Sequence, residues 1–155
     1  MDLEKLIESN MLEGGTLDIE KEGIGDEGVK KLAGMEKLRG VVRLELGDNE
    51  ISDEGVAALL ASPNLGNLRI LNLKSNNITA VGAGYLAGAT VFPRLEQLIL
   101  KFNKIGEEGA KLIAASENLS NLTTLDLFRN HIGPEGAKAI KASQNFTKLS
   151  RVRLD

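Results

Sequence analysis

One period governs this chain. Leu17, Leu44, Leu71, Leu98, Leu125 and Val152 stand 27 residues apart, and Ile19, Leu46, Leu73, Leu100, Leu127 and Leu154 follow two places later. Five places after that second column come Ile24, Ile51, Ile78, Ile105 and Ile132, then the glycines Gly28, Gly55, Gly82, Gly109 and Gly136. No insertion breaks the register. A period of this length is the mark of a stacked repeat, in which one supersecondary unit buries its apolar side only against its neighbours.

Within a unit the letters divide into strand, turn, helix and return. Stretches such as "RLEL" and "TLDL" alternate leucine with polar residues, which predicts short strands of about four residues. Gly25, Ser52, Thr79, Gly106 and Gly133 form a column of acceptable helix N-caps, and Pro134 follows at a first-turn position that needs no N–H donor. Asp26, Glu27, Asp53, Glu54, Glu107, Glu108 and Glu135 suit the positive end of a helix dipole. Leu32, Leu59, Leu86, Ile113 and Ile140 are expected on the buried helix face. Leu38, Leu65, Phe92, Leu119 and Phe146 belong to the return. The glycine column sits where glycine is a poor helix former, so a close helix-to-strand approach is expected there. Asn49, Asn76, Asn103 and Asn130, with Glu22 in the first unit, are read as a buried ladder, since an amide both donates and accepts.

The pattern LxLxxNxIxxxGxxxL resembles leucine-rich repeats of the ribonuclease-inhibitor type, over nearly the whole chain after residue 15. The resemblance implies an α/β solenoid, a horseshoe with a concave parallel β-sheet and convex α-helices, whose general role is binding. Ribonuclease inhibitors are longer and rich in cysteine, and the Ran-directed GTPase activators and immune-sensor domains of this type have more repeats. Their particular activities are therefore not carried over to any residue here. Residues 1–15 read as an N-terminal capping helix, with Leu3, Leu6 and Ile7 on one face and Met11 in the Leu38 column. Residues 16–155 read as five 27-residue repeats plus a final strand. That strand, "RVRLD", either ends the stack, with Arg151 and Arg153 discouraging strand addition, or leads into more repeats.

Several chemistries fall away. The chain has no cysteine and one histidine, which removes thiolate nucleophiles, disulfides and all-histidine metal sites. His131 has no serine or cysteine partner that would make a triad, and it is read as solvent-facing. "GAGYLAG" at 82–88 lies inside an expected helix and has glycine spacing one residue too long for a dinucleotide fingerprint. It is read as small-residue packing. Asp48, Asp53 and Glu54 lack calcium-loop spacing. No catalytic residue, metal or cofactor is therefore expected. Asn-x-Thr/Ser triplets at Asn77, Asn118, Asn121 and Asn145 are by-products of the repeat composition. With an acidic N-terminus and no long apolar run, the expectation is a cytoplasmic protein that binds neither membrane nor nucleic acid. Its net charge of −3 is unevenly spread: residues 1–77 hold 9 basic and 15 acidic side chains, and residues 78–155 hold 10 and 7.

What the repeat does not require is more informative. Ile70, Ile99, Phe102 and Phe128 are apolar at strand or turn positions expected to face the concave side, on neighbouring repeats. Lys74, Lys101 and Arg129 border them. An apolar cluster with an arginine beside an aromatic is typical of a binding hot spot. Ile70, Lys74, Ile99, Lys101, Phe102, Phe128 and Arg129 are therefore the candidate site for a protein or peptide partner. Six strands about 4.8 Å apart and about 13 Å long offer roughly 300 Å², below the roughly 800 Å² per partner of a standard interface, so the loops after the strands are expected to contribute. The alternatives are weak end-to-end self-association, and regulation of a GTPase by binding.

Overall fold

The computed structural model describes residues 1–154. Helix α1 (Leu3–Asn10) leads into strands β1 (Met11–Leu12) and β2 (Thr16–Asp18). The chain then alternates: α2 (Gly25–Ala33), a 3₁₀ turn (Glu36–Gly40), β3 (Arg43–Glu45), α3 (Asp53–Leu60), β4 (Ile70–Asn72), α4 (Ala80–Ala87), β5 (Gln97–Ile99), α5 (Gly106–Ala114), β6 (Thr124–Asp126), α6 (Gly133–Ala142) and β7 (Arg151–Arg153). The strands form one sheet in chain order, parallel from β2 to β7. The register keeps the repeat columns aligned: Leu17 opposite Leu44, Leu44 opposite Leu71, and so on to Leu125 opposite Val152. Parallel strands sit about 4.8 Å apart and packed helices need about 8–10 Å. Stacking identical units therefore bends the sheet inward, with the helices on the convex side.

Strands β2 to β7 have three residues, not four, because the turn begins on the strand's last residue, just before the second leucine column. That turn has a fixed construction. Asp18, Asn72 and Asp126 each accept the backbone N–H two residues on, that of Glu20, Lys74 and Phe128. This is an Asx turn. Two residues past the second leucine column the backbone goes left-handed: Lys21, Asp48, Ser75, Phe102 and Arg129 have φ between 54° and 60°. The next residue is the buried asparagine. Asn76 accepts from the N–H groups of Asn49 and Ile51 and donates to the carbonyls of Leu46, Leu73 and Lys74. Asn49, Asn103 and Asn130 repeat the arrangement, each reaching into the repeat before it.

The helix starts differ among repeats. Ser52 and Thr79 are side-chain N-caps, accepting from Glu54 and Val81 N–H. Gly25, Gly106 and Gly133, expected as caps, instead open their helices. The preceding isoleucine carbonyl already takes the first helical bond, as in Gly28 N–H to Ile24 O at 3.0 Å. Glycine permits this entry because φ there is +60° to +68°.

The second glycine column serves a close approach, though not the expected one to the strand. Asp53 reaches forward to the next helix. It accepts from Thr79 N–H at 2.8 Å, Thr79 Oγ1 at 2.5 Å and Gly82 N–H at 3.0 Å. A Cβ on Gly82 would overlap that carboxylate and stand 2.8 Å from Ile78 Cγ2. Asp26 relates to Ser52 and Gly55 in the same way. At the other helix end, Ser62, Ser116 and Ser143 donate to the carbonyls of Ala33, Ala87 and Ala114, each at 2.6 Å.

The core follows the columns. Leu17, Leu44, Leu71, Leu98 and Leu125 are wholly buried, as are Leu32, Leu59 and Leu86. Burying each such side chain stabilises the fold by roughly 1.5–3 kcal/mol. At the N-terminal end Asp2 caps α1 by accepting Lys5 N–H, and Leu3 and Ile7 bury against the stack. Met11 does not join the return column: it lies opposite Leu17 in an antiparallel pair. Gly14 and Gly15, both at positive φ, reverse the chain there too tightly for a full return segment.

Candidate functional site

The residues singled out from the sequence do lie along one side of the sheet and its turns, but they do not act as one group. Ile70 and Ile99 are half-buried on β4 and β5. Phe102 occupies the left-handed turn position after β5 and stays 48% exposed. Phe128 sits one position earlier in the next repeat. The two rings meet edge to face, with centroids 5.9 Å apart and planes at 81°, in the geometry aromatic pairs prefer.

A positive φ at phenylalanine is uncommon, since its Cβ crowds the neighbouring carbonyl at a cost of about 1–2 kcal/mol. The repeat enforces it. Phe102 N–H is bound to Phe128 O at 2.9 Å, and the amide of Asn103 holds Leu100 O at 2.9 Å on the other flank. A large apolar side chain thus stands in a strained, exposed turn position where other repeats carry lysine, aspartate, serine or arginine.

Lys74 departs from the expected patch. Its ammonium lies 3.0 Å from Glu20, two repeats toward the N-terminus, and Asn72 donates to the same oxygen at 3.3 Å. Gly47 makes the route possible: a Cβ there would stand 2.9 Å from the lysine stem. Lys74 is therefore drawn away from the aromatic pair. Nearby, Arg43 pairs closely with the buried Glu45 through Nε, and Glu45 Oε2 is buried with no hydrogen-bond partner among the described residues. Arg43 and Lys74 are thus internally matched, while Lys21 makes no ion pair among the described residues.

The other end is not matched. Among the described residues, Lys101, Arg129 and Arg151 make no ion pair. Arg129 instead lies over the Phe128 ring, its Cζ 5.3 Å from the centroid. Arg153, a concave-facing position that sequence reasoning left out of the candidate site and gave to edge protection, lies over the same ring at 4.8 Å and stands 3.6 Å from Asp126. The signal that could have placed it was the repeat itself. Arg153 aligns with Asp126 in the β6–β7 register, and Phe128 follows Asp126 by two residues.

The concave columns also proved less open than their position suggested. Glu45, Asn72 and Asp126 face the sheet's outer surface yet are buried, because strands this close let flanking long side chains lie over short polar ones. His131 is exposed in the turn column, and "GAGYLAG" falls within α4 and its C-cap, with a Gly84 Cβ position 3.3 Å from Leu112 of the next repeat. Among the described residues no group of three His, Cys, Asp or Glu could hold a metal ion, and no helix is long and apolar enough to cross a membrane.

The segments 16–33, 41–60, 67–87, 94–114 and 118–141, well over half of the chain, match the family model described as Leucine Rich repeat. No curated protein matches in sequence. Among solved structures the chain is similar to the Mex67:Mtr2 subunits of Chaetomium, at 22% identity over 90% of this chain and 97% of that one, with a TM-score of 0.61. It is also similar to an internalin (inlF) of Listeria monocytogenes, at 24% identity and a TM-score of 0.46, over 81% of this chain. It spans only 37% of the internalin's length. The first of these likenesses concerns the fold alone.

Proposed function

The chain belongs to the leucine-rich repeat family, and from that premise we propose that it is a non-catalytic interaction module that takes a protein or peptide on its concave face. One observation carries the reading. Phe102 and Phe128, apolar where the repeat needs no apolar residue, form a contacting pair, with Phe102 held exposed in a strained turn. The repeat sets that backbone whatever residue stands there, so it is the choice of an exposed phenylalanine that folding does not require, and an aromatic pair beside arginine has hot-spot composition. Ile99 and Ile70 extend the apolar strip, and Lys101 and Arg129 supply charge. Lys74 is dropped from the contact set because Glu20 holds it. The same reading places the protein in the cytoplasm and assigns its units to the 27-residue ribonuclease-inhibitor type. It takes residues 1–15 as a cap on repeats 16–155.

The test compares partner capture by the wild-type chain with that by a Phe102→Ala, Phe128→Ala double variant. A partner retained by the wild type is expected to be lost, with affinity falling roughly a hundredfold, the scale of two hot-spot residues. Stability should fall by only about 1 kcal/mol, the scale of the lost ring contact, because alanine keeps the Cβ and with it the strain at Phe102. Undiminished capture of the same partner removes the site.

End-to-end self-association is the second reading. It draws on Val152, 39% exposed where the leucines of its column are buried, and on a depression of about 500 Å³ lined by Ile140, Phe146, Leu149 and Val152. A monomer by light scattering at high concentration and low salt would rule it out.

A further inference from the structure

We propose that Arg129 and Arg153, stacked on the Phe128 ring, form a two-guanidinium clamp for the carboxylates of an acidic peptide laid across β5 to β7. This rests on the concave-face reading above and gives it a ligand chemistry. It also adds Arg153 as a specificity-determining residue and recasts Phe128 as a positioning residue.

The geometry carries the argument. The two guanidinium carbons lie 5.3 Å and 4.8 Å from one ring centroid, so the two like charges are at most about 10 Å apart. They come from successive repeats and lie against one ring; Arg129 has no carboxylate partner among the described residues, and Arg153 also reaches Asp126 at 3.6 Å. Phe102, edge-on at 5.9 Å, buttresses the ring. A guanidinium lying over a ring can still present N–H groups to a carboxylate and donate to it bidentately. Among the described residues the acid paired with them is Asp126, 3.6 Å from Arg153, and its other oxygen already accepts Phe128 N–H. Lys101 adds to the excess. At the opposite end of the same sheet Arg43 and Lys74 are neutralised by Glu45 and Glu20. Arg43 and Lys74 are thus matched by the chain's own carboxylates, whereas Lys101 and Arg129 have no ion pair among the described residues, an excess that attracts and orients an anionic partner.

A peptide fits better than single-stranded nucleic acid. Base binding needs free aromatic faces as stacking platforms, and here guanidiniums lie over Phe128. The exposed Phe102 and half-buried Ile99 suit an apolar side chain between the carboxylates.

The experiment uses the whole chain and fluorescent probes of about a dozen units: a Glu-rich peptide with one leucine, its Gln-rich and Lys-rich counterparts, and a single-stranded RNA. The Glu-rich peptide is expected to bind about tenfold tighter than the Gln-rich one, with the preference shrinking as salt rises. Arg129→Gln and Arg153→Gln should each weaken it about fivefold, and Arg153→Lys should do the same because lysine cannot stack and fork. Phe128→Leu should lower the Glu preference, and Lys138→Gln on the convex side should leave it unchanged. Circular dichroism confirms that each variant is folded. Equal binding of the Glu-rich and Gln-rich peptides, no effect of either arginine change, preference for RNA, or no peptide binding at all would each overturn the clamp. The concave-face reading falls separately, if the double phenylalanine variant keeps its captured partner.

Discussion

Asn76 shows how much one buried amide holds. Its oxygen receives two backbone N–H groups of the preceding repeat, and its nitrogen serves three carbonyls. Truncation leaves these groups buried and unpaired, at about 1–3 kcal/mol for each one that water cannot reach. Asn76→Ala is expected to cost about 3–5 kcal/mol in urea unfolding. Asn76→Asp should cost as much, because it keeps the acceptor and loses the donors. Gly82→Ala tests a second residue. Helix propensity alone favours alanine by about 1 kcal/mol, but the new methyl meets Asp53 and Ile78, so the net effect is expected to be a loss of about 1–2 kcal/mol. In an Asp53→Ala background that loss should shrink, and a double-mutant cycle reads the coupling. The leucine and asparagine columns were legible because they recur without interruption. The serine ladder of Ser62, Ser116 and Ser143 was not, since Ala89 breaks its column and isolated serines read as loop. Lys74 was misplaced because its partner Glu20 lies 54 residues upstream, across a glycine whose value shows only in three dimensions.

At the scale of elements, the five repeat helices begin with different chemistry. Helices α3 and α4 begin on hydroxyl caps that also donate to an aspartate of the previous repeat, whereas α2, α5 and α6 begin on left-handed glycines with no side-chain cap. Thr79→Ala removes a cap worth about 1 kcal/mol and the hydroxyl bond to Asp53. A loss of about 2 kcal/mol is expected in thermal unfolding, with Thr79→Ser recovering most of it. The sequence placed all five of these helices and the strands within a residue or two. It did not show that Asp26 and Asp53 bind forward while the asparagines bind backward, because one repeat read alone gives both as simple end-of-element polar residues. The candidate site was legible as a cluster of apolar letters. Its arginine chemistry was not, because Arg153 belongs to the next repeat.

For the whole molecule, contacts run between successive units: α2 with α3, α3 with α4, α4 with α5, α5 with α6, and each strand with the next. Stability is then close to a sum of unit and interface contributions. Excising Leu71 through Gln97, one full period, joins Ile70 to Leu98 and restores every column. The shortened chain is expected to fold and unfold cooperatively with a lower melting temperature by circular dichroism, and an unfolded product would contradict nearest-neighbour stacking. The asparagine ladder adds a direction to this stack. Each turn is closed by an amide that arrives with the following unit, so a chain made from its N-terminus completes every turn one period late. The newest unit on a growing polypeptide always carries an unfinished loop, and synthesis rate, rather than the final structure alone, sets how long that loop is open to wrong partners.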